Sequence, residues 1–325
     1  MKALIVKSPG GPLLLEDIQI PEPGAGEVLV RIEAAPVNPS DLRAIKQGKG
    51  GDFIPFVPGL EGAGIVVKAG KGLLPRLLLN RRVACSPKKD GNGTWAEYML
   101  TDAAHCFPLG KKISAEQGAM ALINPLTAIG FIDIAKEGGH KAIINNAAAS
   151  ALGRMLELLC GRNGITLINI VRSNERAEQL RKLGSAYVLD SSDPGFGGNL
   201  SSLARKLNAT LLFDSACGDG FRTLAESMPD GSTIVLYGNL SKTDYVMVNP
   251  RALLSRNLTI TGFFLGSRTA RNGMLKNIKN LILVRKLMGS GMTIKVRGQY
   301  SLAGAASAID TYLSDMSEGK VLLRP

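Results

Sequence analysis

The sequence is poor in cysteine, which occurs four times in 325 residues, as Cys85, Cys106, Cys160 and Cys217. These positions lie far apart, and no pair has the Cys-x-x-Cys spacing of zinc clusters and redox dithiols. The pattern therefore excludes a cysteine-built zinc site and a redox dithiol. We interpret the four residues as buried free thiols.

Long apolar runs are also missing. No stretch of the chain reaches the roughly 18 consecutive apolar residues of a membrane-spanning helix. The apolar run at residues 3–6 is soon followed by Ser8 and Pro9, and it is too short for a signal peptide. We therefore expect a cytoplasmic protein without a membrane partner.

Basic residues outnumber acidic ones, with 39 Lys and Arg against 27 Asp and Glu, and the formal net charge is +12. The cations are scattered along the chain rather than gathered into one block, and no basic patch is interleaved with aromatic residues. A nucleic-acid partner is therefore not expected. Some excess positive charge suits an enzyme that holds a phosphorylated cofactor.

The chain is longer than one hydrophobic core usually requires, and its pattern changes near residue 123. Before that point, short apolar runs are separated by turns rich in Pro and Gly, which predicts a β-rich domain. After it, apolar strands alternate with helical patterns, which predicts an α/β domain with a doubly wound parallel sheet. The predicted strands are residues 142–145, 165–171, 186–189, 210–213 and 233–236.

Beyond residue 265 the pattern predicts helices at residues 272–288 and 302–313 and a closing strand at residues 320–323. We expect this tail to return to the first domain and complete it.

The turn after the first strand of the α/β domain has the spacing of a dinucleotide motif. Ala148, Ser150 and Gly153 match G-x-G-x-x-G in register, with small residues in place of two glycines. In such turns, backbone N–H groups and a helix N-terminus hold a diphosphate. Ser150 could cap the helix or direct its hydroxyl toward a phosphate. We predict a diphosphate site formed by Ser150, Ala151, Leu152 and Gly153.

The next strand ends at Val171, at the point where dinucleotide-binding folds select their cofactor. An acidic residue there holds the ribose 2′-hydroxyl of NAD, whereas Arg accepts the 2′-phosphate of NADP. This chain has Arg172, Ser173 and Arg176 and no carboxylate at the strand tip. A guanidinium donates paired hydrogen bonds to phosphate, so we predict NADP(H). The same residues could instead be solvated charges at the start of a helix.

Several short motifs occur along the chain in a characteristic order. Besides the phosphate turn, they are APVNPSD (35–41), PGLEGAG (58–64), GTWAEY (93–98), NPLTA (124–128) and GKV (319–321). Together they resemble the medium-chain dehydrogenase/reductase superfamily, in its zinc-free quinone oxidoreductase and enoyl reductase branches, and the resemblance covers essentially the full chain.

The resemblance implies a discontinuous catalytic domain like the chaperone GroES, at residues 1–122 and 265–325. It implies a Rossmann domain for NADP(H) between them, at residues 123–264. Members of the superfamily are often homodimers that pair the edge strands of their Rossmann sheets, so a homodimer is expected by analogy.

The resemblance also implies site residues. It places Asn38 and Asp41 on the catalytic-domain side of a cleft, although both could simply cap a helix that begins near Pro39. Tyr237, at the end of a strand, could reach the cofactor or merely pack. Other positions are implied as cofactor contacts, namely Asn124, Thr127, Gly238, Phe263, Phe264, Leu265 and Lys320.

Two departures from the family pattern bear on the chemistry. Where zinc alcohol dehydrogenases of the superfamily have Gly-His-Glu, this chain has Gly59-Leu60-Glu61, and His105 and His140 resemble no ligand pair. We expect no metal, and we interpret Glu61 as structural. Without a Lewis acid to stabilise an alkoxide, reduction of a conjugated C=C or a quinone is the more natural reaction.

The second departure concerns the proton donor. Enoyl thioester reductases resembling this chain carry a Tyr soon after the Asn-Pro-Ser-Asp stretch, and residues 42–50 contain none. The proton donor is therefore unknown. The missing Tyr impairs reduction of an enone more than reduction of a quinone, because a quinone can take its second proton from water. Other candidates near the acceptor are Arg43, Lys46 and Lys49, which could equally be surface charges, and Phe53 and Phe56, which could equally belong to the core.

These observations predict an NADPH-dependent, zinc-independent oxidoreductase. Its acceptor would be a quinone or the activated C=C of an enone, enal or enoyl thioester. The alternative is a non-catalytic NADPH-binding regulator, or a nucleic-acid-binding protein, on the same fold.

Overall fold

A computed structural model describes residues 1–48, 55–243 and 245–325. Two compact units result, one formed by residues 1–125 with 278–325 and the other by residues 126–277. Within the described residues the strands are β1 (Lys2–Val6), β2 (Leu13–Asp17), β3 (Glu27–Pro36), β4 (Gly62–Ala69), β5 (Arg82–Cys85), β6 (Tyr98–Asp102), β7 (Cys106–Pro108), β8 (Ala142–Asn145), β9 (Thr166–Val171), β10 (Tyr187–Asp190), β11 (Leu211–Asp214), β12 (Thr233–Leu236), β13 (Thr259–Gly262), β14 (Val296–Ser301) and β15 (Lys320–Arg324). The helices are α1 (Pro39–Gln47), α2 (Leu73–Leu78), α3 (Ala115–Ala119), α4 (Ile123–Glu137), α5 (Ala151–Asn163), α6 (Asn174–Lys182), α7 (Phe196–Leu207), α8 (Phe221–Ser227), α9 (Pro250–Ser255), α10 (Leu265–Gly289) and α11 (Ala305–Ser314).

The first unit is built on a largely antiparallel sheet with the order β14-β15-β3-β4-β5-β7, and β6 also pairs with β3. The C-terminal strand β15 runs antiparallel to β3, with Leu322 opposite Pro36. The C-terminal strand and strands from the first part of the chain therefore share one sheet, while β1 and β2 form a separate two-stranded sheet. Trp95, Leu29 and Met99 are almost fully buried in its core.

The second unit contains a parallel sheet with the order β10-β9-β8-β11-β12-β13. Every residue of β8 and β11 is buried, as expected for strands covered on both faces by helices. The order reverses at β8, whose neighbours β9 and β11 lie on opposite sides of it. This is the Rossmann order, and the predicted fold class is confirmed. Ligands of such sheets bind where the connections after the central strands diverge.

The predicted strands of the second unit agree with the observed ones to within one residue at each end. Strand β13 lay outside the prediction. Helix α10 begins at Leu265, earlier than the predicted residue 272, and it is interrupted at Gly273, which has a φ of +73°. Residues 265–277 of α10, which include this break, belong to the second unit. Lys276, just after the break, forms a 2.9 Å ion pair with Asp133 of α4.

In the described part of the chain, no helix combines the length and the apolar character needed to cross a bilayer. All four cysteines are buried and free, as the sequence predicted.

Candidate functional site

Ser150 caps helix α5. Its Oγ accepts a hydrogen bond from the backbone N–H of Gly153 at 3.1 Å, so the capping role predicted for it is observed. The hydroxyl hydrogen stays available for a second partner. The first-turn N–H groups of Ala151 and Leu152 have no acceptor within the helix. The turn therefore offers several donors to an anion at a helix N-terminus.

Gly153 allows this turn to close against the helix. A Cβ on Gly153 would lie only 2.7 Å from the Cα of Ala148 and closer still to its carbonyl oxygen. Ala148 is itself buried, and its N–H donates to the carbonyl of Ile170 at 3.3 Å. The turn is thereby attached to the end of β9, and there is no room at position 153 for a side chain.

A polar network joins the carboxyl ends of β8 and β11. The Asn146 side chain donates to Asp214 and accepts the backbone N–H of Ser215 at 2.9 Å. The same Asp214 oxygen accepts the N–H of Ala216 at 2.8 Å. Our sequence analysis missed this network, although a polar residue directly after a buried apolar strand is a signal for it.

Two atoms at this edge of the sheet are buried without a hydrogen-bond partner, namely Nδ2 of Asn145 and Oδ2 of Asp214. Buried polar groups of this kind normally have a partner in the protein, in a ligand or in ordered water. Oδ1 of Asn145 accepts the hydroxyl of Tyr237 at 3.2 Å. Burial raises the pKa of Tyr237 well above its ordinary value, so this hydroxyl stays protonated and donates.

Arg172 is exposed at the end of β9, and among the described residues its guanidinium has no ion-pair or hydrogen-bond partner. Ser173 caps α6 by accepting the N–H of Arg176 at 3.4 Å, and the Arg176 guanidinium donates to Gln179. Strands β8 and β9 are adjacent and parallel, so Arg172 follows the strand next to the one that leads into the Ser150 turn. The structure thus brings the two predicted parts of the dinucleotide site to the same edge of the sheet.

The other predicted cofactor contacts of the second unit lie further along this edge or on α4. Phe263 follows β13 and packs edge-on against Phe131, while Phe264 is exposed and Leu265 begins α10. Gly238 follows β12 and sits close to Ser215, where a Cβ would meet the Ser215 carbonyl at 2.8 Å. Thr127 is buried in α4. Their contact with a cofactor stays a prediction.

The first unit buries a cluster of four polar side chains, Asn38, Asp41, Glu61 and Lys320, none of them more than 4% exposed. The Lys320 ammonium donates to the side-chain oxygen of Asn38 and, at 3.4 Å, to the Val37 carbonyl. The Asn38 amide nitrogen in turn donates to Glu61 at 3.2 Å. The chain end is therefore tied to the β3–α1 corner through charged and polar groups.

The two carboxylates of this cluster hold backbone groups. Asp41 accepts the N–H groups of Asn38 and Leu60, both at 2.9 Å, so Asp41 contributes to the cap of α1, whereas the side chain of Asn38 contacts Lys320 and Glu61. Glu61 accepts the N–H groups of Leu122 and Ile123, at 3.1 and 2.9 Å, at the start of α4. The cleft-lining role of Asn38 and Asp41 and the cofactor contact of Lys320 stay predictions.

Burial dominates the protonation of the cluster. It raises the pKa of Asp41 to about 7, although hydrogen bonds from Asn38 and Leu60 partly oppose the rise. Burial also raises the pKa of Glu61 and lowers that of Lys320, and in both cases the opposite charge nearby opposes the shift. One proton on the carboxylates would balance the charges of the cluster.

Other predicted site residues include Phe56, Asn124, Lys49 and Phe53. Phe56 is buried in the first unit, which favours its interpretation as a core residue. Asn124 lies half-buried in the first turn of α4. Lys49 and Phe53 lie outside the described residues.

Comparisons with known proteins find a family model that matches part of each unit. Residues 24–111 match the family model of the alcohol dehydrogenase GroES-like domain, and residues 151–280 match that of the zinc-binding dehydrogenases. A mitochondrial enoyl-[acyl-carrier-protein] reductase of Caenorhabditis elegans is 30% identical over 274 residues, covering 80% of this chain and 75% of the relative. The chain belongs to the medium-chain dehydrogenase/reductase superfamily. Its place is in the branch of the quinone and enoyl reductases.

Solved structures of this superfamily superimpose on the whole chain. A crystal structure from Mesorhizobium loti assigned as an NADPH:quinone reductase is 30% identical, with a TM-score of 0.91 and coverage of 100% of this chain and 98% of that one. A mycobacterial protein solved in complex with NADPH is 25% identical, with a TM-score of 0.84 and full coverage of both chains.

The residues of this member do not fit the catalytic zinc of the superfamily's alcohol dehydrogenases. The position of the expected imidazole is Leu60, which has no ligand atom in its side chain. The neighbouring Glu61 uses its carboxylate on Asn38 and on the start of α4. Across residues 1–48, 55–243 and 245–325, no three His, Cys, Asp or Glu side chains are grouped to hold a metal ion.

A dinucleotide does fit the residues of the second unit. The close approach at Gly153 and the two unpartnered buried atoms at the strand ends are features that a bound ligand would explain. Arg172 adds an uncommitted positive charge beside them.

We predict that Gly153→Ala weakens NADPH binding by about ten-fold or more, because overpacking of this kind costs roughly 1–3 kcal/mol and displaces the turn. The matched control is Gly161→Ala on the same helix, where an added Cβ meets nothing within 4 Å. This control should bind NADPH normally and melt at the same or a higher temperature. Fluorescence titration with NADPH and thermal melting check both variants, and equal affinities for the two would contradict the packing argument.

We predict a pH dependence of stability that comes from Asp41. Because its folded pKa is about 7 and its ordinary value is 3.8, the folded state binds the extra proton between these limits. This contribution to the free energy of unfolding is complete below about pH 4 and is lost as the pH rises through 7, by at most roughly 1.4 kcal/mol per pH unit. Urea unfolding between pH 4 and 8 should show a smaller slope for Asp41→Asn.

The control for this pH prediction is Asp310→Asn, which changes an exposed carboxylate on α11 of the same unit. It should keep the wild-type slope. A wild-type slope in Asp41→Asn would show that another group takes up the proton.

Proposed function

We propose that this protein is an NADPH-dependent oxidoreductase that reduces a small conjugated acceptor. The acceptor is a quinone or the activated C=C of an enone, enal or enoyl thioester. One observation carries the proposal. The turn at Ser150 and Gly153, which offers several hydrogen-bond donors, follows β8, and Arg172, which has no partner among the described residues, follows the adjacent strand β9. Enoyl and NADPH:quinone reductases among the relatives support it, and a purely binding or regulatory protein is not favoured.

The chain's own groups account for cofactor binding. The hydroxyl of Ser150 and the N–H groups of Ala151 and Leu152 bind a diphosphate. Arg172, with Ser173 and Arg176, binds the 2′-phosphate that distinguishes NADP from NAD. When bound, NADPH would supply a hydride, which carries both electrons of the reduction.

Reduction without zinc follows from the chemistry of a conjugated acceptor. After hydride reaches the β-carbon, the acceptor's own carbonyl delocalises the negative charge, so a Lewis acid is not required. The position at Leu60 supports this part of the proposal.

The proton donor differs between the two acceptor classes. A reduced quinone can take its second proton from water, whereas an enolate benefits from a placed acid. Residues 42–48 contain no carboxylic acid, imidazole, thiol or phenol, and their charged side chains are Arg43 and Lys46. The lack of a placed acid among these residues favours a quinone as the acceptor. The similarity to enoyl reductases favours an enoyl thioester.

The proposal includes a homodimer and a cytoplasmic location. Strand β13 forms an edge of the parallel sheet, and exposed apolar side chains occur around it, among them Leu254 and Phe264. An edge strand of this kind can pair with a second copy. The enoyl reductase of Caenorhabditis elegans named above is mitochondrial. Fractionation of cells and light scattering of the pure protein test these two points. A nucleic-acid partner is not part of the proposal.

Consumption of NADPH with 1,4-benzoquinones, 2-alkenals and crotonyl thioesters tests the function. NADPH stereospecifically deuterated at C4 should transfer its label to the β-carbon of an alkene acceptor. With a quinone, the label exchanges into water or stays on oxygen only transiently, so product analysis separates the classes. NADPH binding without turnover on every acceptor would favour the non-catalytic alternative.

We predict that Arg172→Ala weakens NADPH binding by about ten-fold or more and leaves NADH binding nearly unchanged. A hydrogen bond to a charged group contributes roughly 1.5–3 kcal/mol, and only NADPH has the phosphate that makes it. Calorimetric titration with both dinucleotides measures the ratio. Arg162→Ala, which removes an exposed Arg from α5, is the matched control. Equal losses for NADPH and NADH would contradict the assignment of Arg172.

A further inference from the structure

Helix α2 exposes apolar side chains on the surface of the first unit. Leu73 and Leu77 are 76% and 62% exposed, and Leu74 and Leu79 also face solvent. Leu73 and Leu77 are four residues apart, so they project from the same face of the helix. Leu78 is buried and anchors the helix on the opposite side. Exposed apolar patches of this kind are typical of surfaces that contact a partner or a lipid.

The same segment is strongly basic. Residues 68–82 contain five Lys and Arg residues and no Asp or Glu. Glu22 and Glu33 from other segments pair with Lys68 and Arg82. Among the described residues, the side chains of Lys71, Arg76 and Arg81 have no ion-pair partner. Three cations of this segment therefore have no carboxylate partner among the described residues.

A groove of about 490 Å³ lies beside the leucine ridge. Its cationic lining comes from three separate segments and consists of Arg81, Arg82, Lys111 and Arg285. Leu77 lines its edge, so apolar and cationic surface are continuous. The groove is a place where phosphate groups next to an apolar layer would find opposite charge.

We propose that this surface, formed by α2 and the adjoining basic groove, binds the interface of an anionic lipid bilayer. Leucines flanked by Lys and Arg are the composition of interfacial membrane segments, with the leucines entering the acyl boundary. Each Lys or Arg near an anionic surface strengthens such binding about five-fold. A second copy is disfavoured, because a symmetric contact would place the cations of the two patches against each other. Nucleic acid is disfavoured, because the exposed side chains are leucines rather than aromatic rings that stack on bases.

This inference revises one expectation. We expected no membrane partner because no spanning segment exists, but a peripheral contact requires none. Such a contact would also bring the protein to the phase in which apolar conjugated acceptors dissolve.

Vesicle flotation tests the proposal with the full chain. Wild-type protein should float with vesicles of phosphatidylcholine and phosphatidylglycerol, float far less with phosphatidylcholine alone, and dissociate as salt rises. Leu73→Asp with Leu77→Asp should weaken the partition at least about ten-fold, since burying even one leucine side chain contributes about ten-fold in affinity. Leu183→Asp with Leu313→Asp, at exposed leucines elsewhere, should leave it unchanged.

Melting temperature and NADPH affinity should be the same in all of these variants, which separates lipid binding from the fold and from the proposed function. The proposal is overturned if the wild type stays with the aqueous fraction at physiological salt, or if the Leu73/Leu77 variant floats as well as the wild type. It is also overturned if that variant loses dimers without lipid, or if only a purified acidic protein, such as acyl carrier protein, binds through these leucines.

Discussion

The ammonium of Lys320 lies inside the first unit, and the surrounding chain is arranged to hold it there. A buried charge without partners is costly, so its neighbours must be polar and correctly placed. The side chain of Asn38 accepts a hydrogen bond from Lys320 and donates one to Glu61. Asp41 accepts the backbone N–H of Asn38 at the start of α1. Strand β15, the β3–α1 corner and the start of α4 thus depend on one set of contacts.

The second unit depends on a different constraint, which is the close approach of the α5 backbone at Gly153 to the backbone of Ala148. Helix α5 can begin where it does because Gly153 has no side chain to separate it from Ala148. The same closeness directs the first-turn N–H groups of α5 outward from the edge of the sheet. The chemistry assigned to this protein therefore rests on packing in one unit, while the charge network organises the other.

Local features of the sequence were enough to predict much of this candidate site. The strand ending at Val171, the Arg that follows it and the spacing from Ala148 to Gly153 each lie within one short segment. Asn146 and Asp214 could not be paired in this way, because they are 68 residues apart and meet only when β8 and β11 become neighbours. Lys320 and Asn38 are 282 residues apart and meet for the same kind of reason, through the pairing of β15 with β3.

The amino-acid sequence by itself determined the alternation of strands and helices, the spacing from Ala148 to Gly153 and the presence of Leu rather than His at position 60, and it predicted NADP(H) from Arg172. Each of these depends on residue type and short-range spacing, which a linear pattern contains. Tertiary structure alone decided which polar groups are buried together, which buried atoms lack a partner and that α2 turns its leucines outward beside a basic groove. Burial and proximity arise from the pairing of distant strands, and neither is a property of any single segment.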